Sequence, residues 1–155
     1  TSLRAVFNSE SLARWDSPER RAEVVDADNF EDRKAAFRQL QGFLKTIHDA
    51  GIQVAIGTDA GTPNVPFGWG MHREMAIYVE AGLTPMQAIV AATSTGAAQM
   101  PPLGEADFGT LVPGKVADLV VLDADPLVDI RNTQKINRVM RLGKWLDRSQ
   151  LLRAE

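Results

Sequence analysis

One acidic residue in this sequence stands where it can do chemistry. The stretch IQVAIGTDAGTP, residues 52–63, places Asp59 directly after an apolar run and before a turn at Ala60 and Gly61. The run at 52–57 predicts a buried strand, and in parallel α/β sheets ligands bind at the carboxyl ends of the strands. A carboxylate there can bind a divalent metal or accept a proton from a metal-bound water. It can also accept backbone N–H groups in the turn, and the local pattern alone favours that structural role.

A loop with bulky side chains follows this acid. Residues 60–70, AGTPNVPFGWG, include Phe67 and Trp69, which can line a substrate pocket or only pack the loop down. His72 opens the helix predicted next, where it can face the same site as the acid or serve for packing and capping. His48, the only other histidine, is expected on a helix surface.

Two other motifs are better explained without a ligand, and a third, typical of dinucleotide binding, is absent. GTLVPGKV, residues 109–116, fits part of a phosphate-binding loop, but Val116 replaces the Ser or Thr that reaches magnesium, and a strand follows instead of a helix. Asp123, Asp125 and Asp129 lack the glycine and distal glutamate of a calcium loop. No G-x-G-x-x-G motif follows a strand, which argues against a dinucleotide-binding fold.

The composition is that of a globular domain without a strong electrostatic preference. Of the 155 residues, 45% are hydrophobic and 24% are charged, with a net charge of −3. This mild negative balance gives no footprint for nucleic acid or an anionic membrane, and no apolar stretch approaches the roughly 20 residues of a membrane span. The sequence has no cysteine, so disulfides and thiolate zinc sites are excluded.

Hydrophobic periodicity divides the chain into an α/β part and a β part. Apolar residues at three- and four-residue spacing predict an amphipathic helix at 30–50, stopped by Gly51. Further helices are expected at 71–81, 85–95 and 94–100. After residue 109, short strands are separated by Pro-Gly, Asp-Pro and Leu-Gly-Lys turns. We therefore expect a domain boundary near residue 107.

The order of these pieces resembles the C-terminal part of the amidohydrolase superfamily. It is most similar to the imidazolonepropionase-like and Xaa-Pro-dipeptidase-like members. The resemblance covers residues 51–143 and is carried by AGIQVAIGTDAG, HREMAIYVEAGLTPMQAIVAATSTGAA, GTLVPGKVADLVVLDADPLVDI and INRVMRLGKWL. Each segment is weak evidence alone, but the series in this order is specific.

This resemblance implies an α/β fold, the C-terminal part of a (β/α)8 barrel with a segment of a small β-sandwich. Residues 1–107 would belong to the barrel of a metal-dependent hydrolase, with residues 52–57 as its last strand. Residues 108–149 would supply strands of the sandwich.

The resemblance also implies a role for Asp59 as metal ligand and general base. The metal is expected to be zinc, as one or two ions. Asp59 would accept a proton from the water that attacks the amide carbonyl. Asn64, Phe67, Trp69 and His72 are weaker candidates for the substrate side.

The sequence departs from the family pattern in its other ligands. It has no His-x-His pair, and neither histidine stands where a family ligand belongs. A complete α/β barrel takes about 250 residues. We therefore interpret the chain as the C-terminal piece of a longer protein, inactive alone, whose upstream residues supply the remaining ligands and the missing N-terminal half of the barrel.

The function expected for the full-length parent is metal-dependent hydrolysis of amide C–N bonds in cyclic amides, dipeptides or N-acyl amino acids. The expected partners are a small-molecule amide substrate and the missing half of the barrel. A homo-oligomer is compatible with this prediction, whereas nucleic acid and membrane are not expected. The alternative is a non-catalytic, truncated-barrel module that binds a partner chain.

Overall fold

Five helices and one small sheet make up the described part of the chain. A computed structural model describes residues 17–27, 29–61, 65, 67–100 and 106–147, together with the single residues 13 and 149. The helices are α1 (Pro18–Val25), α2 (Phe30–Asp49), α3 (Trp69–Glu80), α4 (Pro85–Ala92) and α5 (Ser94–Ala98). The strands are β1 (Leu119–Leu122), β2 (Ile136–Arg141) and β3 (Lys144–Trp145), with a 3-10 helix at Ile130–Gln134 between β1 and β2. The protein is thus a mixed α/β structure.

Local sequence signals fix where most helices begin and end. The side chain of Thr84 accepts from the amide of Gln87, and the Gln87 side chain accepts from the Thr84 amide. This reciprocal capping box starts α4 at Pro85, as the sequence predicts. Gly51 and Gly82 follow α2 and α3 in the left-handed region, at φ 81° and 102°, where glycine ends a helix at little cost.

The last two helices are shorter than predicted. The prediction of one helix at 85–95 followed by another at 94–100 is changed by a break at Thr93, with φ −123° and ψ −89°. Its hydroxyl donates to the carbonyl oxygen of Ile89 over 2.7 Å, a local bond of the kind that competes with helix continuation.

The sheet is antiparallel in the order β1-β2-β3. Leu119 pairs with Met140 between the first two strands, and Arg141 pairs with Lys144 across a two-residue turn. Both turn residues, Leu142 and Gly143, have positive φ, 49° and 74°. This backbone matches the twist of the strands it joins and confirms the predicted Leu-Gly-Lys turn.

The prediction of a buried strand at residues 52–57 is wrong for this structure. No strand is assigned there, and the side chain of Ile52 is 56% exposed. A strand needs a neighbouring strand for its backbone hydrogen bonds. Here the amide of Ile56 instead donates to the carbonyl oxygen of Ala91 in α4 over 3.2 Å.

The core lies between α3 and α4. Its buried residues are Met75, Ala76, Tyr78, Leu83, Ala88, Ala91 and Ile130. The segment at 54–56 packs partly buried against this cluster through Val54 and Ile56. No large side chain of the described residues is fully buried, so the core is small.

Helix α2 keeps much of its predicted apolar face exposed. Leu40 and Phe43 are 64% and 61% exposed, while Leu44 packs against the core. Among the described residues, no helix is long and apolar enough to cross a membrane.

Candidate functional site

Asp59 stands at the end of the segment that packs on α3 and α4. Its φ is +49°, in the left-handed region, and its side chain lies at the surface. A residue other than glycine in this region costs of order 1 kcal/mol or more, although aspartate tolerates it better than most residues. Such conformations persist where the surrounding structure fixes them, and they cluster at functional sites and at turns.

Side chains of α3 hold the backbone just before Asp59. The amide of Gly57 donates to Oε1 of Glu74 over 3.2 Å. The hydroxyl of Tyr78 donates to the carbonyl oxygen of Ala55 over 3.0 Å. These bonds supply the partners that a neighbouring strand supplies in a sheet.

The first turn of α3 approaches the same segment closely. A Cβ atom on Gly70 would lie 3.1 Å from Cγ1 of Val65 and 3.5 Å from Cβ of Thr58. Gly70 is buried, so a Cβ atom there would crowd the Val65 side chain and would reach Thr58 at an ordinary van der Waals distance. The lack of a side chain at Gly70 therefore lets the first turn of α3 pack closely on Val65 and Thr58.

Burial shifts the pKa of both polar side chains on this face of α3. Desolvation raises the pKa of Glu74, and the hydrogen bond from the Gly57 amide opposes part of that rise. Desolvation also raises the pKa of Tyr78, with the charge of Glu74 as a smaller cause. Tyr78 therefore remains a hydrogen-bond donor at neutral pH.

The sequence analysis missed Glu74 and Tyr78 as members of this site. Their spacing of four residues on a helix that follows the Asp59 loop was the available signal, because it places both on one helix face. Polar residues in an amphipathic helix usually face water, so the sequence alone does not predict that these two side chains contact the segment before Asp59.

His72 is attached to the 3-10 helix. Its Nδ1 lies 3.0 Å from Oγ1 of Thr133, and the same Oγ1 lies 2.8 Å from the carbonyl oxygen of Ile130. The tautomer of the neutral ring decides whether Nδ1 donates to Thr133 or accepts from it. Burial lowers the pKa of His72, which favours this neutral form.

The aromatic candidates lie on the loop that follows Asp59. A Cβ atom on Gly61 would lie 2.9 Å from Cζ of Phe67, so the Phe67 ring covers the turn, although the residue as a whole is 69% exposed. Trp69 begins α3, and its amide donates to the carbonyl oxygen of Phe67 over 2.8 Å. Asn64 lies outside the described residues.

The described residues do not fit a metal site by themselves. Within the ranges given above, no group of three or more His, Cys, Asp or Glu side chains could hold an ion. A zinc site takes three or four protein ligands. Asp59 is thus at most one member of a ligand set completed by other residues.

Two open cavities lie away from the Asp59 turn. One, of about 230 Å³, is lined by residues of α3, Pro85 and residues 128–131. The other, of about 440 Å³, is lined mainly by residues of α2, together with Val24 of α1 and Glu80 of α3. Asp59 lines neither of them.

Comparison with known proteins identifies a family. The sequence model of the amidohydrolase family matches residues 6–146. The imidazolonepropionase of Cutibacterium acnes is 37% identical over 106 residues, which is 66% of this chain and 26% of that protein. The imidazolonepropionase of Salinispora tropica is 42% identical over 82 residues, covering 49% of this chain and 19% of that protein.

Solved structures of similar enzymes share this fold in part. A Xaa-Pro dipeptidase with methionine bound in its active site superposes with a TM-score of 0.63 at 30% identity, covering 81% of this chain and 31% of its own. Phenylurea hydrolase B superposes with a TM-score of 0.59 at 25% identity, covering 93% of this chain and 32% of its own. The chain therefore spans about a fifth to a third of the length of the relatives and solved structures named here.

Proposed function

This chain belongs to the amidohydrolase family, and on that premise we propose that it forms part of a metal-dependent hydrolase of amide C–N bonds. The substrate class is cyclic amides, dipeptides or N-acyl amino acids. Similarity to imidazolonepropionases and to a Xaa-Pro dipeptidase supports this choice. The observation that carries the proposal is Asp59, which adopts a left-handed backbone conformation directly after a segment held by two helices.

The proposed fold of the assembled enzyme divides the chain in two. Residues 1–107 form the C-terminal part of the (β/α)8 barrel, in which residues 52–57 become the last strand once neighbouring strands are present. Residues 108–149 contribute strands to a small β-sandwich. The order of elements supports this division, because the α-helices of the described residues end at Ala98 and the strands begin at Leu119.

Asp59 is the proposed catalytic residue. The family is typically metal-dependent, and a bound divalent ion, for which we propose zinc, lowers the pKa of its water to about 7. Asp59 would accept the proton of the attacking water and pass it to the leaving amine. The remaining ligands must come from residues that the structure does not describe.

The substrate side of the site is proposed for the aromatic loop. Phe67 and Trp69 would supply apolar walls close to the Asp59 turn, with Asn64 on the same loop as a polar contact. His72 would meet a substrate through Nε2, because Nδ1 is already hydrogen-bonded to Thr133.

The test is substitution of Asp59 in the natural gene product that contains this chain. With zinc supplied, Asp59→Asn should lower kcat about 100-fold or more, the usual contribution of a general base, because an amide cannot accept the proton. The matched control is Asp32→Asn, at an exposed position in the first turn of α2, which should leave kcat unchanged. Near-normal turnover of Asp59→Asn removes Asp59 from the mechanism.

A non-catalytic module that binds a partner chain is the second candidate. The exposed apolar face of α2 favours it. The mass and the zinc content of the natural gene product separate the two candidates. A product of about 400 residues with bound zinc supports the enzyme, as a barrel of about 250 residues and further strands require. A metal-free product of the present length supports the module.

A further inference from the structure

We infer that Glu74 and Tyr78 are positioning residues for Asp59. Together they fix the backbone from which the Asp59 carboxylate projects. This inference rests on the proposed function, because it assigns the two α3 side chains a role in the same site. They act through the backbone and are not themselves proposed to touch substrate.

Glu74 and Tyr78 offer an acceptor and a donor that match the free directions of the backbone groups at residues 55 and 57. The Glu74 carboxylate accepts from the amide of Gly57, and the Tyr78 hydroxyl donates to the carbonyl oxygen of Ala55. Glu74 and Tyr78 are four residues apart and share one face of α3. In an extended chain, the carbonyl of one residue and the amide of the second residue after it point to the same side. The spacing on the helix therefore matches the spacing on the segment.

The Glu74 carboxylate loses part of its hydration where it meets the Gly57 amide. Its carboxylate is partly buried, and desolvation raises its pKa. A glutamate on a helix can normally turn its head to water, so its contact with the Gly57 amide has to offset the lost hydration. Tyr78 is 8% exposed, and its ring is part of the core. The pair is thus anchored from the side of α3.

Asp59 needs such an anchor because of its conformation. At φ +49° its backbone is less stable than an ordinary extended or helical one. The turn is tied downstream by the bond from the Gly61 amide to the carbonyl oxygen of Val65, over 3.1 Å. Upstream, Glu74 ties it at Gly57, two residues before Asp59. Loss of the upstream tie would let Asp59 relax to negative φ and turn its carboxylate away.

The experiment compares variants of Glu74 in the natural gene product. Glu74→Ala removes the acceptor, and Glu74→Asp withdraws it by one methylene group. Both should speed hydrogen exchange at the Gly57 amide and lower kcat about 10- to 100-fold, as expected for a misplaced catalytic group, with KM little changed. Glu74→Gln keeps an oxygen in place and should restore slow exchange and most of kcat. Tyr78→Phe should lower kcat less than Glu74→Ala.

The control variant is Glu80→Gln. Glu80 lies on the same helix and pairs with Arg73 at the surface over 2.7 Å, so both exchange and kcat should stay at their normal values. Glu74→Asp provides the test if Glu74→Ala does not fold, which circular dichroism detects.

Three results overturn the inference alone, and the first two concern Glu74→Ala and Glu74→Asp. One is unchanged exchange at Gly57 in Glu74→Ala and Glu74→Asp, and the other is normal kcat in both variants while Asp59→Asn is inactive. A Glu74→Gln variant as impaired as Glu74→Ala also contradicts it, because the hydrogen bond would then not be the cause. Normal turnover in Asp59→Asn instead overturns the proposed function, whatever the Glu74 variants do.

Discussion

Asp59 shows that a single backbone angle does not separate two roles for the same side chain. A turn aspartate and a catalytic aspartate can both stand after an apolar run, and both can adopt the left-handed conformation found here. What differs is how the neighbouring backbone is held. At Asp59 the preceding residues are bonded to two different helices, which is more support than a surface turn requires. The expected loss of kcat in the Glu74 variants, compared with the loss in Asp59→Asn, measures how much that support contributes.

His72 gives a prediction about pH at the residue scale. Its folded pKa is lowered by burial, so the unfolded chain binds the proton more tightly than the folded one. Stability is therefore present above the ordinary histidine pKa of about 6.5 and is lost as the pH falls below it toward the folded value. We expect the urea midpoint of the natural gene product to fall between pH 7.5 and pH 5.5, and to fall less in His72→Asn.

The control for this prediction is His48→Asn, which changes the other histidine, on the surface of α2. Glu74 acts with the opposite sign, since its raised pKa favours the folded state at lower pH. Glu74 is present in all of these variants, so its effect cancels when the pH dependence of the urea midpoint is compared between them. A pH dependence that is the same in His72→Asn as in the normal protein contradicts the assignment.

At the scale of elements, the β2–β3 turn has a strained backbone at Leu142 that a different residue there would relieve. Leu142 occupies a left-handed position at φ 49° and is 67% exposed. Its amide donates to Oδ1 of Asp118, and the Gly143 amide donates to the carbonyl oxygen of Ala117 over 3.0 Å. The turn is thus kept in place by hydrogen bonds from its two amides to the Asp118 side chain and the Ala117 backbone, just before β1.

Leu142→Asn should stabilise the protein. Asparagine tolerates positive φ, and Asn-Gly is the preferred pair for this turn, while little burial is lost at an exposed site. We expect a gain of about 0.5–1 kcal/mol in the free energy of unfolding, measured by urea denaturation. Leu142→Val is the matched opposite, because a branched side chain tolerates this region poorly, and it should destabilise. Equal midpoints in both variants would show that the turn is not strained.

At the scale of the whole molecule, the small core and the exposed apolar face of α2 determine how stable we expect this chain to be. The described residues include no fully buried large side chain. Leu40 and Phe43 expose more than half of their surface on one side of α2. A stable domain normally buries such a stripe against another element.

We therefore expect the 155-residue chain, produced by itself, to behave as a molten species or to aggregate. It should bind the dye ANS and unfold over a broad temperature range, since fixed packing is what makes unfolding cooperative. Replacing Leu40 and Phe43 by glutamine should reduce dye binding. A sharp calorimetric transition of the unmodified chain would contradict this expectation.

The sequence predicted the local structure well and the long-range structure less well. The helix at 30–50, the caps at Thr84 and Gly82 and the turn at Leu142 follow from side-chain spacing and backbone preference, which are local. The segment at 52–57 was assigned as a strand because its composition suits one, yet a strand also needs neighbours that composition does not show. The contribution of Glu74 was missed for the same reason, because it depends on which residues the fold brings opposite α3.

The backbone bonds at residues 55–57 have a consequence for how this chain would assemble with neighbouring strands. The carbonyl of Ala55 and the amides of Ile56 and Gly57 already have partners. The carbonyl of Ala55 and the amide of Gly57 face α3, so an incoming strand would pair on the other side of the segment, where it would exchange the partner of the Ile56 amide. That exchange would gain little hydrogen-bond enthalpy. The driving force would then have to come from releasing water around apolar side chains, with the negative heat-capacity change that such release produces.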